Sequence, residues 1–181
     1  MKGAVIFGII LIIMSSVAFA ADLADYPEMF MKGNRLNLLI VVGKSASAED
    51  VVGSIDIAAS LMQASQQDAY ESIARLDEEV LDIIYDNNVI LVGGPCANSA
   101  TAKVMNYPSD CNRGFEFGKS KIKLYEYDNG NSALVVAGRT ALDTRRATHV
   151  LSDYSNPNYD FNGTELIIEG VGSTMTGITI S

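Results

Sequence analysis

The chain of 181 residues contains no tryptophan, two cysteines and a single histidine, His149. One histidine, within a helix-like stretch, is more typical of a packing or surface residue than of a general base, and no G-x-S-x-G turn presents a nucleophilic serine. The acidic run Asp77-Glu78-Glu79 is typical of a solvated face rather than of a paired acid and base. The sequence therefore offers no catalytic residue, and we predict that the protein is not an enzyme.

Basic residues are also scarce. The chain has 13 Lys and Arg against 22 Asp and Glu, a formal net charge of −9. Nucleic acids and anionic membrane surfaces are themselves negative and would repel such a protein. Both are therefore excluded as partners.

Long apolar runs are absent after residue 20. Before it, Lys2 precedes an apolar segment that ends in Ala18-Phe19-Ala20. This layout is typical of a secretory signal peptide, since the apolar segment is short for a membrane span of about 20 residues. We predict a signal peptide over 1–20 and one domain over 21–181, secreted or at the cell surface, with no stable membrane span after cleavage. A retained membrane anchor is the alternative.

Cys96 and Cys111 both lie in the predicted exported part, 15 positions apart. In an oxidising compartment this spacing favours a disulfide, worth about 3 kcal/mol on a chain-entropy model. A metal pair is the rival interpretation, but the two cysteines lack C-x-x-C spacing and His149 is remote in sequence.

Three segments share one pattern, in which a short apolar run meets glycine and a helical pattern follows. The runs are LLIVVG, VILVGG and ALVVAG, and their glycines are Gly43, Gly93-Gly94 and Gly138. Continuous Val, Ile and Leu runs suit strands that are buried on both faces of a parallel sheet. The pattern predicts an α/β fold with a mixed, mainly parallel sheet, built from about three strand–glycine–helix units and one β-hairpin.

The glycine turns fail the tests for a nucleotide site. None has G-x-G-x-x-G, and the P-loop motif would need glycine where Leu38 stands, five positions before Gly43. We therefore interpret Gly43, Gly93, Gly94 and Gly138 as structural strand-to-helix turns.

The helices have recognisable starts. Ser47 with Asp50 resembles a capping box, and Thr140 or Asp143 can cap the helix after Gly138. We predict one apolar face for the first helix, formed by Ile55, Ala58, Ala59 and Met62. In the last helix we predict that Ala147, Val150 and Leu151 face inward. Arg145 and Arg146 would lie on its exposed side as interface residues.

The remaining segments are less regular. Asp128-Asn129-Gly130-Asn131 predicts a tight turn that joins antiparallel strands 121–127 and 132–137. Residues 68–86 form either a helix or a polar insert with a short strand. Residues 166–169 predict a strand, and the Thr-rich end predicts a final edge strand that remains free or joins the sheet of another subunit.

The loop at 153–165 is rich in oxygen ligands. Asp153, Asp160 and Glu165 are candidate calcium ligands, because hard cations prefer oxygen donors, although the spacing is not that of an EF-hand. A polar surface loop is the alternative. Asn162-Gly163-Thr164 is a sequon that makes Asn162 a candidate glycosylation site in an exported chain.

Several motifs recur in a fixed order: VGGP followed by Cys-x-Asn, the second cysteine, the KIKL strand, and LVVAG with the run Asp143-Thr144-Arg145-Arg146-Ala147. With these motifs, residues 37–153 resemble the recurring core of archaeal S-layer proteins. The segment IVVGKSASAEDVVGSIDIAASL is similar to the opening unit of that family. Bacterial cell-wall-binding repeats show a more distant likeness.

The resemblance implies a structural glycoprotein of the cell surface that assembles by self-association or with other surface-layer proteins. It also implies a frequent dependence on divalent cations. The chain departs from the family in one respect, because full S-layer subunits are usually longer. The alternative function is an extracellular binding module for a cell-wall polymer or small ligand, with a pocket at the strand ends near Gly43, Gly94 and Gly138.

Overall fold

The computed structural model of the chain describes residues 21–65, 73–170 and 179–181. The predicted signal peptide lies outside the described residues. In the described part, no helix has both the length and the apolar character needed to cross a membrane.

The elements follow one another in a mixed α/β order. The strands are β1 (Met31–Lys32), β2 (Arg35–Leu36), β3 (Leu39–Val42), β4 (Ala74–Leu76), β5 (Val89–Val92), β6 (Lys119–Glu126), β7 (Ser132–Gly138), β8 (Glu165–Glu169) and β9 (Thr179–Ile180). The helices are α1 (Ala48–Ala64), α2 (Asp77–Val80), α3 (Ser99–Val104) and α4 (Ala141–Ser152). Short 3₁₀ turns occupy Leu23–Asp25, Glu28–Phe30 and Ile84–Asp86.

Seven strands form one sheet in the order β4-β3-β5-β7-β6-β8-β9. Strands β4, β3, β5 and β7 are parallel, whereas β7, β6, β8 and β9 pair antiparallel. Strands β1 and β2 form a separate antiparallel pair. The predicted α/β class, mixed sheet and hairpin between β6 and β7 are therefore confirmed, and the final strand β9 pairs with β8 at the sheet edge.

A cluster of buried side chains lies on each face of the sheet. One face packs against α1 and α4, with Ile57, Leu61 and Leu151 among the buried side chains. The other face packs against the region of α2 and α3, through residues such as Val80 and Ala100. Strand β7 is buried along its whole length because its alternate side chains enter the two layers.

The predicted inward face of α4 is confirmed, since Ala147, Val150 and Leu151 are fully buried. The predicted face of α1 is only partly correct, since Ala58 and Met62 pack against the core but Ile55 and Ala59 are exposed. Ile55 is 59% exposed, and the buried side of the helix is formed instead by Gly53, Ile57 and Leu61, four residues apart. These positions stack along one side of an α-helix, so this side contacts the core.

The sequence left open whether residues 68–86 form a helix or a polar insert with a short strand, and the structure answers this for residues 73–86. They contain the short strand β4, the short helix α2 and the 3₁₀ turn Ile84–Asp86 rather than one long helix. Residues 66–72 lie outside the described part of the chain.

Candidate functional site

The parallel strands β3, β5 and β7 end at one crevice, and the loops that follow them line it. In the sheet, β3 lies between β4 and β5. The chain runs from β3 to β4 on one side of β3 and then returns to β5 on its other side, so a topological switch point lies between β3 and β5. Open α/β sheets place ligands outside the carboxyl ends of their strands at such points. A cavity of about 190 Å³ occupies this position. Its lining includes Ser45, Ser47, Asp50, Gly94, Cys96, Ala97, Cys111, Asn112, Phe115, Gly138, Arg139, Thr140, Ala141 and Thr144.

Two of the glycines at this edge allow close approach of the loops. A Cβ at Gly43 would lie 1.8 Å from the carbonyl oxygen of Ala97, and one at Gly138 would lie 2.3 Å from Cβ of Asp143. A Cβ at Gly94 would meet nothing nearer than 3.5 Å. The three turns are therefore similar in sequence but differ in how strictly they need glycine.

Asn98 joins the crevice to the sheet. Its side-chain amide is fully used, since Nδ2 donates to the carbonyls of Val41 at 3.1 Å and Val92 at 3.0 Å. Its Oδ1 accepts from the backbone amides of Ala100 and Thr101, which caps α3. Asn98 thus ties the carboxyl ends of β3 and β5 to the start of a helix.

Capping boxes occupy the amino ends of α1 and α4 at the crevice. Ser47 and Asp50 form the box of α1, and Thr140 and Asp143 form that of α4. Each helix end therefore already holds a carboxylate of its own chain, which is the group that a helix amino terminus would otherwise attract. This arrangement agrees with the sequence-based exclusion of a phosphate site.

The predicted disulfide is present. Cys96 follows β5 and Cys111 lies in the segment between α3 and β6, and the two are bonded beside the cavity. No free cysteine occurs in the chain. The bond therefore fixes one wall of the crevice.

Comparison with known protein families shows which family the chain belongs to. Residues 63–155, just over half of the chain, match the family described as the S-layer like family, outer domain. The chain belongs to the S-layer-like family. None of the curated proteins compared with this S-layer-like chain matches it. Membership indicates a structural, non-enzymatic kind of protein located at the cell surface or secreted.

The distinctive run Asp143–Ala147 of this S-layer-like protein has a structural role at nearly every position. Thr144 Oγ1 accepts from the Gly138 amide, and Ala147 is fully buried in the core. Arg145 pairs with Asp56 of α1 and so joins the two helices. The run therefore fastens α4 to the turn after β7 and to α1.

The prediction that Arg146 lies on an exposed side is wrong. The residue is 3% exposed, and its Nη1 donates to Oδ1 of Asp143 at 2.7 Å. Its side chain also packs so closely on Gly170 that a Cβ there would lie 2.4 Å from Cδ of Arg146. Burial is possible because the charge is paired within one turn of the helix. Arg145 is partly exposed but is engaged by Asp56.

The structure does not bring the three candidate calcium ligands together. Glu165 lies between two ammonium groups, with Lys121 Nζ at 2.7 Å and Lys123 Nζ at 2.8 Å. Asp153 accepts from Asn156, and Asp160 accepts from Asn162. Among the described residues, no group of three or more His, Cys, Asp or Glu is arranged to hold a metal ion. Calcium binding stays a prediction without an assembled ligand set.

Asn162 is exposed, and the amide of the following Gly163 donates to Asp22 near the start of the described chain. The sequon is therefore presented at the surface on an anchored loop, and its glycosylation stays a prediction. His149 lies within α4 and is half-buried.

Sequence reasoning missed the role of Asp77. The residue is buried rather than solvated, and its carboxylate accepts from the amide and hydroxyl of Ser99 and from the amide of Lys44. Burial would raise the pKa of Asp77, but the hydrogen bonds from Ser99, Lys44 and Glu78 outweigh it and lower the pKa. Ser99 lies 22 residues from Asp77 in sequence, so no local spacing pattern indicated this contact.

Proposed function

We propose that this S-layer-like protein is exported and acts as a structural component of the cell surface by self-association into a layer. The observation that carries the proposal is the family match over residues 63–155. Surface-layer subunits work through contacts between copies, so the protein needs a surface that favours association.

Two features support export. Residues 1–20 have the composition of a secretory signal peptide. The Cys96–Cys111 disulfide is of the kind that forms and persists in oxidising compartments outside the cytosol.

Helix α1 supplies an apolar surface for association. Val51, Val52 and Ile55 are exposed on the side away from the buried positions Gly53 and Ile57. Clustered apolar side chains on a protein surface mark sites of contact with other proteins more often than isolated ones do. Because Arg146 is buried and Arg145 is paired with Asp56, we place the association surface on α1 rather than on the arginines.

The edge strand β9 is a second candidate contact. It pairs only with β8 among the described strands, so its outer edge faces away from the sheet. An outer strand can accept a strand of another copy. The described strand is two residues long, which limits the pairing that it provides.

The α1 surface can be tested with two matched substitutions. Ile55→Lys places a charge in the apolar surface, whereas Ile83→Lys changes an exposed isoleucine (44% exposed) beside α2 on the opposite face of the sheet. We expect light scattering to show assembly of the wild type and of the Ile83 variant, but not of the Ile55 variant. Equal assembly by both variants would remove α1 from the interface.

A second candidate function is an extracellular binding module for a cell-wall polymer. The cavity at the carboxyl ends of β3, β5 and β7 favours it, since this is where parallel α/β sheets bind ligands. Co-sedimentation of the protein with isolated wall polymer tests this function, and absence of co-sedimentation would contradict it.

A further inference from the structure

One face of the sheet changes character beyond β7. Where α2 and α3 cover β3, β5 and β7, that face is apolar, whereas β6 and β8 present charged side chains on it. Strand β6 contributes a basic row, and β8 contributes an acidic row with one isoleucine at its centre. The rows are Lys119, Lys121 and Lys123 on β6 and Glu165, Ile167 and Glu169 on β8. All six side chains are at least partly exposed, and we call this surface the β6–β8 face.

The two rows are paired across the strands. Lys119 stands opposite Glu169, with Nζ 3.2 Å from Oε1, and Lys123 stands opposite Glu165, with Nζ 2.8 Å from Oε2. Burial would raise the pKa of Glu165, but hydrogen bonds from Lys121 and Lys123 outweigh it and lower the pKa, so the carboxylate is charged at neutral pH. An ammonium has several donors and a carboxylate several acceptor sites, so each pair can take a second partner.

This arrangement of charges is complementary to itself. A two-fold axis that runs along the strands, between β6 and β8, places the basic row of one copy over the acidic row of the other. Lys119 then meets the partner subunit's Glu169, and Lys123 meets the partner subunit's Glu165. An axis across the strands would instead place lysine over lysine, so the charges select one orientation. Aligned packing keeps the strand directions of two sheets within about 30°, which preserves this order of rows.

Net charge also favours contact through this face. The chain has a formal net charge of −9, so two copies repel each other in most orientations. On the β6–β8 face the lysines are balanced by Glu165, Glu169 and Glu116, which pairs with Lys119. Ile167 adds partly buried apolar area at the centre of the charged groups, which is the order found in protein interfaces. An anionic polymer is disfavoured, because these carboxylates already hold the lysines.

We propose that the β6–β8 face is a two-fold interface between copies of this chain, in which the lysines of β6 pair with the glutamates of the partner subunit's β8. The inference rests on the proposed self-association and adds a second contact to it. Helix α1 packs on the opposite face of the sheet, so one subunit can hold a partner on each side.

The contact is measured in the Ile55→Lys protein, whose altered α1 surface no longer supports growth of a layer. We expect analytical ultracentrifugation to show a dimer. Its Kd should rise about tenfold or more when the salt concentration is raised from about 0.05 M to about 0.5 M, because salt screens charges at a partly exposed interface.

Two charge reversals, each made in the Ile55→Lys protein, identify the groups in contact. Lys119→Glu and Glu169→Lys each gather like charges at the interface, so each variant alone should be monomeric. An equimolar mixture should form a heterodimer, because the glutamates of one chain then meet the lysines of the other. Mixing leaves the repulsion within each chain unchanged, so a defect of folding could not be repaired in this way. Both side chains are well exposed, at 43% and 52%, and their pairing within the chain contributes little to folding.

A surface ion pair far from this face supplies matched controls. Lys44 and Glu78 lie 2.9 Å apart and are exposed by 62% and 60%. Lys44→Glu and Glu78→Lys change the net charge by the same amounts as the two reversals at the interface. Each control should therefore form the same dimer as the parent Ile55→Lys protein.

Three results would overturn the proposal. They are a monomeric Ile55→Lys protein at all concentrations, dimers in both single reversals, or a mixture of the reversals that stays monomeric. Layers of the wild type beside a monomeric Ile55→Lys protein would leave the proposed function in place without this contact. Dimers of the Ile55→Lys protein without layers of the wild type would keep the contact and remove the proposed function.

Discussion

The side-chain amide of Asn98 donates to the carbonyl of Val41, 57 residues earlier in the chain, at 3.1 Å. With its second donor bond to Val92, it holds the ends of two parallel strands together. Asn98→Asp keeps the acceptor that caps α3 but points an oxygen at two buried carbonyl oxygens. We expect a loss of about 2–4 kcal/mol in the free energy of unfolding, measured by urea denaturation.

Asn88 provides the control for this substitution. Its side-chain Nδ2 donates to the Asn37 carbonyl, and its Oδ1 accepts from the Ser132 amide. The Asn88 side chain is more exposed than that of Asn98. Because water can compensate there, Asn88→Asp should cost about 1 kcal/mol or less. Equal losses for the two variants would contradict the role assigned to Asn98.

Gly43 and Gly94 differ in their tolerance of a side chain. A Cβ at Gly43 would collide with the backbone of Ala97, which cannot move without the adjoining disulfide at Cys96. We therefore expect Gly43→Ala to lower the free energy of unfolding by about 3 kcal/mol or more. Gly94→Ala meets only an ordinary contact, so its thermal midpoint should stay close to that of the wild type. The interpretation fails if the two variants are equally stable.

Asp77 makes the stability depend on pH. Its pKa is lowered in the folded protein, so the folded state binds fewer protons than the unfolded chain near the ordinary value of 3.8. The stabilisation is present above that value and is lost as the pH falls through the lower, folded pKa. We expect Asp77→Asn to be less stable at neutral pH and to show a weaker decline of stability in acid, measured by urea unfolding from pH 6 to pH 2. Parallel pH profiles for the variant and the wild type would exclude this role.

The disulfide stabilises the loop that borders the cavity. Replacing both Cys96 and Cys111 by serine reopens a loop with a sequence separation of 15 residues. We expect a loss of about 3 kcal/mol, chiefly because the unfolded chain regains freedom. Reduction of the wild type should lower its denaturation midpoint by a similar amount, and an unchanged midpoint in both cases would contradict the assignment.

Local sequence signals predicted the hairpin, the strand–glycine–helix units and the helix caps. The turn at Asp128–Asn131 needs a residue with positive φ, and Gly130 supplies it at φ 86°. Ser47 and Thr140 cap their helices through a partner only three residues away. Interactions of this range can be recognised from spacing alone.

The sequence-based predictions of burial were wrong where contacts between residues distant in sequence determine which side chains are buried. Helix α1 is apolar on two sides, and only its packing against α4, where Gly53 faces Thr148, determines that Ile57 rather than Ile55 is buried. Arg146 is buried because Asp143 neutralises it and Gly170 makes room for it.

The central claim is that the protein builds a surface layer by self-association. Electron microscopy of the purified wild-type protein at increasing concentration tests it most directly. The account predicts ordered two-dimensional sheets in the wild type that are lost in Ile55→Lys. A wild-type protein that stays monomeric and forms no ordered array at any concentration would contradict it.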